Sequence, residues 1–287
     1  MSYRLKKRKR VADDLRRVVR EQTDKALAGL TARNADKDDA IHDARVCFKK
    51  IRAVLRLTRD QLSGSFKQEN IFYRDLGRRL SGVRNNVSLL EAFEKLKQHY
   101  RGQIAPDALT GQRRALAESN ARQSREKGKA IAEVSRSLST GRGRVQRWPL
   151  ADDGFGSFAP GLKRTYKQGR DRFATVLGDP TVEKLHEWRK RVKDLWYQVR
   201  LLNKVWPAEM QQLANELEKL GDYLSDHHDL AMLRQAAGDH AKQTGDEGTK
   251  LEAFLALIDQ RRAELRLKQG CWASVSTLRS RRLSWRV

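Results

Sequence analysis

The sequence contains the same pattern twice, with the second copy displaced by 144 residues. Ile41-His42-Asp43-Ala44-Arg45 corresponds to Leu185-His186-Glu187-Trp188-Arg189, and Leu76-Gly77 corresponds to Leu220-Gly221. The displacement stays constant, without insertion or deletion, as far as Leu80-Ser81 and Leu224-Ser225. Self-similarity at a fixed displacement is typical of a repeated structural unit. We therefore expect one unit to occur twice, the copies being related by an approximate two-fold axis.

The periodicity of apolar residues predicts that this unit is helical. Apolar residues recur every three or four positions, runs with two-residue alternation are scarce, and only five prolines occur. A segment with five glycines and two prolines, residues 139–161, divides the chain. Helices are predicted near residues 10–30, 40–62, 66–100, 108–138, 159–177, 181–205, 208–241 and 248–268. The expected fold is all-α, with two pseudo-symmetric four-helix bundles: residues 1–140 form the first repeat, 141–160 a linker and 161–287 the second repeat.

The charge balance indicates an anionic partner. Sixty Lys and Arg against 36 Asp and Glu give a formal net charge of +24. Such an excess destabilises a compact chain by self-repulsion, which nucleic acid, an anionic membrane or a phosphate polymer would offset. The two cysteines, Cys47 and Cys271, form neither a disulfide framework nor a Cys-based zinc site. With no signal-peptide core and no apolar run near the roughly 18 residues of a membrane span, we expect a cytoplasmic protein without cofactors.

Each copy of the repeated helix carries two rows of residues side by side. One row is apolar and predicts the buried seam of a bundle: Ile41, Ala44, Phe48, Ile51, Leu55 and Leu62 in the first copy, and Leu185, Trp188, Val192, Leu195, Val199, Leu202 and Trp206 in the second. The neighbouring row, called the basic row below, is His42, Arg45, Lys49, Arg52, Arg56 and Arg59 in the first copy, and His186, Arg189, Lys193, Trp196, Arg200 and Asn203 in the second.

The basic rows favour a binding site over a solvated face. A solubilising face normally mixes charges of both signs, whereas neither row contains an acidic residue. Like charges at these spacings repel by a few tenths of a kcal/mol per pair, so a bound anion would relieve the repulsion. Arg forks bind phosphate oxygens in pairs, Lys adds a mobile charge, and a protonated His can donate to phosphate. A line of such groups, roughly 25 Å long at 1.5 Å per residue, suits a linear polyanion.

A further basic cluster precedes the second copy. In residues 161–173, Lys163, Lys167 and Arg170 fall near one helical face, with Tyr166 beside them. We include these three basic side chains in the predicted site.

The repeated His-x-x-Arg-x-x-x-Lys helix, followed by a Leu-Gly segment, resembles the CHAD family, the conserved-histidine α-helical domains. The similar segments are MSYRL at the N-terminus, IHDARVCFKKIRAVLRL, GLKRTYKQGRDRF, LHEWRKRVKDLWYQVRLL and LGDYLSDHHDLAML. The resemblance implies two pseudo-symmetric helical bundles around a basic groove, binding of inorganic polyphosphate and, in some members, association with polyphosphate granules. Some relatives carry an attached triphosphate tunnel metalloenzyme domain, for which this sequence leaves no room, so no enzymatic activity is expected.

The resemblance also implies which residues bind polyphosphate. They are His42, Arg45, Lys49, Arg52 and Arg56 in the first copy, and His186, Arg189, Lys190, Lys193 and Arg200 in the second. The family usually has Arg-Asp-x-Asp-Val after the first Leu-Gly segment, where this chain reads Arg84-Asn85-Asn86-Val87.

Two other functions remain open from the sequence. RNA binding through the backbone explains the charge equally well, but base stacking would need aromatic residues within the basic surface, and only Trp196 and Tyr166 qualify. A metal-dependent phosphohydrolase would need converging His and carboxylate ligands, which Asp226-His227-His228-Asp229 and His186 could supply. The first copy has Gly82-Val83-Arg84-Asn85 at the equivalent positions, which favours a structural role for Asp229 as the ion-pair partner of a basic residue.

Overall fold

The computed structural model describes residues 3–6, 10–81, 85–102, 113–114, 117–118, 124–151, 154–204, 207–244 and 248–268. Within these ranges the fold is all-α, as the sequence predicts, and no strand occurs. The α-helices are α1 (Val11–Thr31), α2 (Lys37–Leu57), α3 (Arg59–Leu62), α4 (Ser65–Ser81), α5 (Asn85–His99), α6 (Ser124–Gly141), α7 (Ala159–Gly178), α8 (Val182–Leu202), α9 (Pro207–Thr244) and α10 (Thr249–Lys268). Two short 3-10 helices, Arg142–Arg147 and Phe155–Phe158, lie between α6 and α7.

Two of the predicted helices are divided in the structure. The helix expected over 40–62 ends at Leu57, because the backbone of Thr58, at φ −98° and ψ 15°, departs from the helical conformation, and the short α3 follows. The helix expected over 66–100 consists of α4 and α5, with residues 82–84 outside the described part of the chain. Much of the helix expected over 108–138 also lies outside it; residues 113–114 and 117–118 are helical, and α6 covers the part from Ser124.

The two helices that carry the basic rows, α2 and α8, begin at side-chain caps. The Asp36 carboxylate accepts hydrogen bonds from the backbone N–H groups of Asp38 and Asp39, at 2.8 and 3.0 Å. The Thr181 hydroxyl accepts one from the N–H of Lys184 at 3.3 Å. Such caps satisfy backbone donors that have no partner within the helix, and so define the turn where each basic row begins.

The predicted apolar seams form the centre of the main core. The seam residues of α2 and α8 that the structure describes are all buried. They belong to one cluster that also includes side chains of α1, α4, α6, α7 and α9. A second cluster joins α5 to α9 and α10 through residues such as Phe93, Leu230 and Phe254. Helix α5, from the first half of the sequence, therefore packs against helices of the second half.

Helices α2 and α8 pack directly against each other. The buried Gln198 amide on α8 donates to the Ala53 carbonyl on α2 at 3.2 Å. The N-terminal segment crosses both helices, because the Tyr3 hydroxyl bonds to the Lys50 carbonyl and the Leu5 N–H bonds to the Leu201 carbonyl, both at 3.0 Å. Because α2 and α8 pack against each other, the two basic rows lie on neighbouring helices.

Helix α7 approaches the end of α2 at a glycine. A Cβ atom added to Gly161 would lie 2.0 Å from the Leu57 carbonyl oxygen, a distance that backbone atoms cannot tolerate. Only glycine allows the two backbones to come this close. The approach positions α7, with its basic cluster, beside α2.

Candidate anion-binding site

The basic rows lie at the edge of the core, between the buried seams and solvent. His42 and Lys49 are exposed, whereas Arg45, Arg52 and Arg56 are partly buried. On α8, His186, Arg189, Lys193 and Arg200 are partly buried, and Lys190 is exposed. The partly buried members of each row thus lie close to apolar neighbours, where electrostatic interactions are stronger than in open water.

The rows meet at a cluster of guanidinium groups around one carboxylate. Asp194 on α8 accepts from Arg56 on α2 at 3.0 Å, and its other oxygen lies 3.0 Å from Arg191. Arg52 donates to the Asn70 amide oxygen at 3.1 Å. Burial, together with the neighbouring Arg56, lowers the pKa of Arg52 to about 10. Two guanidinium groups therefore pair with one carboxylate, and the third, that of Arg52, bonds to a neutral amide, which leaves a local excess of positive charge.

Arg191 is a member of this cluster that the sequence analysis did not select. It lies outside the basic row but three residues before Asp194, a spacing at which side chains on a helix can pair. Its other amino group donates to the Gln168 amide oxygen of α7 at 3.2 Å. Arg191 therefore connects the α2–α8 contact to α7.

On the other side of α8, the Leu-Gly segment of α9 positions two basic side chains. Arg189 donates to the Ser225 hydroxyl at 2.9 Å, and that hydroxyl donates to the Gly221 carbonyl. Lys193 lies across Gly221, because a Cβ atom there would be 2.8 Å from the Lys193 Cε. The Lys193 Nζ bonds to Asp222 at 3.1 Å. The glycine of this segment thus leaves space for a lysine of the basic row.

The first copy has the same serine–glycine hydrogen bond, but its glycine, Gly77, lies against Phe48 and not against a lysine. The Ser81 hydroxyl donates to the Gly77 carbonyl at 2.9 Å, which matches the Ser225–Gly221 contact. A Cβ atom on Gly77 would meet Phe48 at an ordinary distance of 3.9 Å. The internal duplication itself stays a prediction.

Trp196 takes the place in the second row that Arg52 has in the first. Its largely buried ring faces two cations, with the Lys193 Nζ at 4.9 Å and the Arg200 guanidinium carbon at 4.6 Å from ring centroids. Cations above an aromatic face are attracted by its negative quadrupole. The ring therefore attracts two basic side chains of this row.

Two histidines, one from each of the helices α8 and α9, lie face to face. The His186 and His228 ring centroids are 4.3 Å apart, with an angle of 32° between the planes. Burial, together with His186 and Arg189, lowers the pKa of His228 to about 3. Burial also lowers the pKa of His186, as do Lys190, Arg189 and, from α2, Lys49.

The remaining residues of the Asp226–Asp229 segment face in different directions. His227 is buried, and burial together with Arg262 and Arg266 lowers its pKa to about 4. Asp226 accepts from Lys95 of α5 at 2.9 Å. Burial raises the pKa of Asp229, and Arg189 opposes that rise. Within the described ranges, no group of three or more His, Cys, Asp or Glu side chains is arranged to hold a metal ion.

A family model of the CHAD domain matches residues 17–238, which is more than half of the chain. The chain belongs to the CHAD domain family. A crystal structure of the CHAD domain from the plant Ricinus communis has the same fold, with a TM-score of 0.63 and 16% sequence identity. The similarity covers 98% of this chain and 92% of the plant chain. No curated protein sequence matches the chain. The resemblance inferred from the sequence motifs is thereby confirmed.

The third group of predicted site residues lies on the exposed side of α7 in this CHAD domain. Lys163, Lys167 and Arg170 are all exposed, and Arg170 lies 3.8 Å from the Asp171 carboxylate. Between them, Arg164 pairs with Asp60 at 2.6 Å. The contact of α7 with the α2–α8 junction is made by Gln168, which bonds to Arg191.

Some of the residues singled out in the sequence are not described by the structure. The side chains of Asn85 and Asn86, where the sequence departs from the usual family pattern, lie outside the described part of the chain, as does Trp206. Among the described helices of the CHAD domain, none is both long and apolar enough to cross a membrane.

Proposed function

We propose that this CHAD domain binds inorganic polyphosphate along the basic rows of α2 and α8. The observation that carries the proposal is the direct packing of these two helices, with Arg56 of one row bonded to Asp194 of the other helix. A linear polyanion bound where α2 and α8 meet could therefore contact both rows at once. The association of the family with polyphosphate, implied by the sequence motifs, supports the same ligand.

The charge distribution at the junction supports a strongly charged ligand. Arg52 and Arg56 both have pKa values lowered chiefly by burial, so their charged forms are held at a cost in solvation. A phosphate chain would supply the missing negative charge through charge-assisted hydrogen bonds, which contribute about 1.5–3 kcal/mol each. The Lys163, Lys167 and Arg170 cluster on α7 would extend this surface.

The proposed activity is binding without chemical turnover. The basic rows contain no paired carboxylates that could act as general acid and base. Release of orthophosphate from polyphosphate by the pure protein would contradict the proposed absence of turnover. We further propose that the protein works in the cytoplasm, associated with polyphosphate granules.

The test is a fluorescence-anisotropy titration with labelled long-chain polyphosphate at two salt concentrations. Each phosphate contact releases counterions, so affinity should fall as salt rises. The double variant Arg45→Ala/Arg189→Ala should bind roughly 100-fold more weakly, since two charge-assisted contacts are lost. The matched control, Arg20→Ala/Arg136→Ala, removes the same net charge from exposed positions on α1 and α6 and should change affinity by less than about threefold.

Competition experiments separate polyphosphate from RNA. Unlabelled polyphosphate should displace the probe at a lower phosphate concentration than single-stranded RNA, and orthophosphate should displace it only weakly. Equal losses for both double variants would mean that the rows are merely solvated faces. If RNA competed as well as polyphosphate per phosphate group, the RNA-binding alternative would replace this proposal.

A further inference from the structure

Arg52 differs from the other guanidinium groups at the α2–α8 junction in the group that it bonds to. Arg56 and Arg191 each lie 3.0 Å from the Asp194 carboxylate. The Nε of Arg52 instead donates to the neutral side-chain oxygen of Asn70 on α4, at 3.1 Å. Among the described residues, no acceptor bonds to the Nη1 or Nη2 atom of Arg52, and neither atom is fully buried. The guanidinium group is therefore held on one side and open to a ligand on the other.

A neutral acceptor orients a guanidinium group without cancelling its charge. The Asn70 oxygen fixes the direction of Arg52 through one hydrogen bond, and the positive charge stays available to an anion. A carboxylate at this position would also hold Arg52, but it would compete with phosphate oxygens for the same donors. Arg74, one turn further along α4, shows the difference, because its guanidinium group is bonded to the Asp75 carboxylate at 2.8 Å.

The amide and the arginine occur together in the first copy of the repeated pattern and are both replaced in the second. At the positions displaced by 144 residues, Trp196 stands in place of Arg52, and Ala214 stands in place of Asn70. In the described part of the chain, the Asn70 side chain bonds to no other group. The joint replacement is what we expect of an amide that serves the arginine and not the helix that carries it.

We propose that Asn70 is a positioning residue for polyphosphate binding, which holds the Arg52 guanidinium group so that its two terminal nitrogens can donate to the oxygens of one phosphate unit. This inference rests on the proposed function. It adds to the site a residue of α4 that lies outside both basic rows, and it gives the α2 row a paired phosphate contact that Trp196 cannot make on α8. A bond that only tied α4 to α2 would affect stability and not the affinity of the folded protein.

Asn70→Asp tests the requirement for a neutral partner. The new carboxylate should pair with Arg52, so the unfolding temperature should stay close to that of the wild type or rise. Affinity for labelled long-chain polyphosphate should fall about tenfold, and it should depend less steeply on salt, because one cation fewer is available to replace counterions. The matched control is Asn215→Asp on α9, where an exposed amide oxygen also accepts one hydrogen bond, from Gln211 at 2.9 Å. This control changes the net charge equally and should alter affinity by less than about threefold.

A double-mutant cycle tests whether Asn70 acts through Arg52. Asn70→Ala leaves the charge in place without its orienting bond, so affinity should fall about fivefold while the salt dependence stays the same. Alanine is a better helix former than asparagine, so the variant should still fold. In a chain that already carries Arg52→Ala, the same substitution should cost no further affinity. Asn70→Gln keeps the amide and should recover most of the affinity that Asn70→Ala loses.

The outcomes separate this inference from the proposed function. Wild-type affinity in both Asn70→Ala and Asn70→Asp, with polyphosphate binding intact, would overturn the inference alone. Equal losses from Asn70→Ala with and without Arg52 would also overturn it, and so would a loss in Asn70→Asp that Asn215→Asp matches, because net charge would then explain the effect. An absence of polyphosphate binding by the wild type would overturn the proposed function and the inference together.

Discussion

Replacing Asp194 by Asn should destabilise the protein and make its stability more dependent on polyphosphate. Asp194 lies 3.0 Å from both Arg56 and Arg191, and its side chain is 12% exposed, against 15% for Arg56. Removing one partner of a buried ion pair costs about 3–5 kcal/mol, because the other charge remains buried without compensation. Asn keeps the size and one acceptor oxygen, so we expect a loss of about 3 kcal/mol, the lower end of that range.

The matched control is Asp222→Asn. Asp222 also pairs with a basic-row residue, Lys193, at 3.1 Å, but its side chain is 62% exposed. Exposed pairs contribute about 0–1 kcal/mol, so this substitution should have little effect. Both variants remove one negative charge and differ mainly in burial.

Urea unfolding measures the free energy of unfolding without adding salt, so electrostatic interactions are preserved. Without polyphosphate, Asp194→Asn should lose about 3 kcal/mol and Asp222→Asn less than about 1 kcal/mol. With saturating polyphosphate the deficit of Asp194→Asn should decrease, because the ligand supplies negative charge to Arg56 and Arg191. Equal losses in the two variants would refute the buried cluster. A deficit that polyphosphate leaves unchanged would show that the cluster lies outside the binding site.

Three glycine substitutions test how closely neighbouring atoms approach the backbone. Gly161→Ala should lower the free energy of unfolding by about 3 kcal/mol or more, because its Cβ would lie 2.0 Å from the Leu57 carbonyl oxygen. Gly29→Ala is the control: nothing lies within 4 Å of the added Cβ, so the substitution should be neutral or should stabilise the protein by up to about 1 kcal/mol. Gly221→Ala should displace only the flexible end of Lys193, so urea unfolding should change by less than about 1 kcal/mol while polyphosphate binds several-fold more weakly in the anisotropy titration. A stability loss at Gly221 as large as that at Gly161 would contradict this distinction.

The helical fold and its buried seams could be predicted because both depend on local sequence. A three-to-four spacing of apolar residues defines one face of a helix, and the residues on that face, such as Phe48 and Trp188, are buried. Helix ends were harder to predict. The end of α2 depends on the backbone conformation of Thr58, and threonine occurs both within helices and at their ends.

Contacts between helices account for what the sequence analysis missed. Arg191 was not selected because it lies outside the basic row, and its role depends on Asp194 and Gln168 at the junction. His228 was considered only as a metal ligand, whereas its position against His186 depends on how α9 packs on α8. A single sequence gives the face on which a residue lies, but it does not give the partner that the face meets.

The difference between Arg52 and Trp196 indicates that the two rows interact differently with an anion. Arg52 is partly buried beside Arg56 with a pKa lowered to about 10, so an approaching phosphate would offset an existing repulsion. Trp196 instead places a neutral ring within cation–π distance of Lys193 and Arg200, whose charges already interact with it. An anion bound to the α8 row must compete with these cation–π contacts, each contributing about 0.5–1 kcal/mol. The row on α2 should therefore contribute more affinity per basic residue than the row on α8, although the two sequences are displaced copies of one pattern.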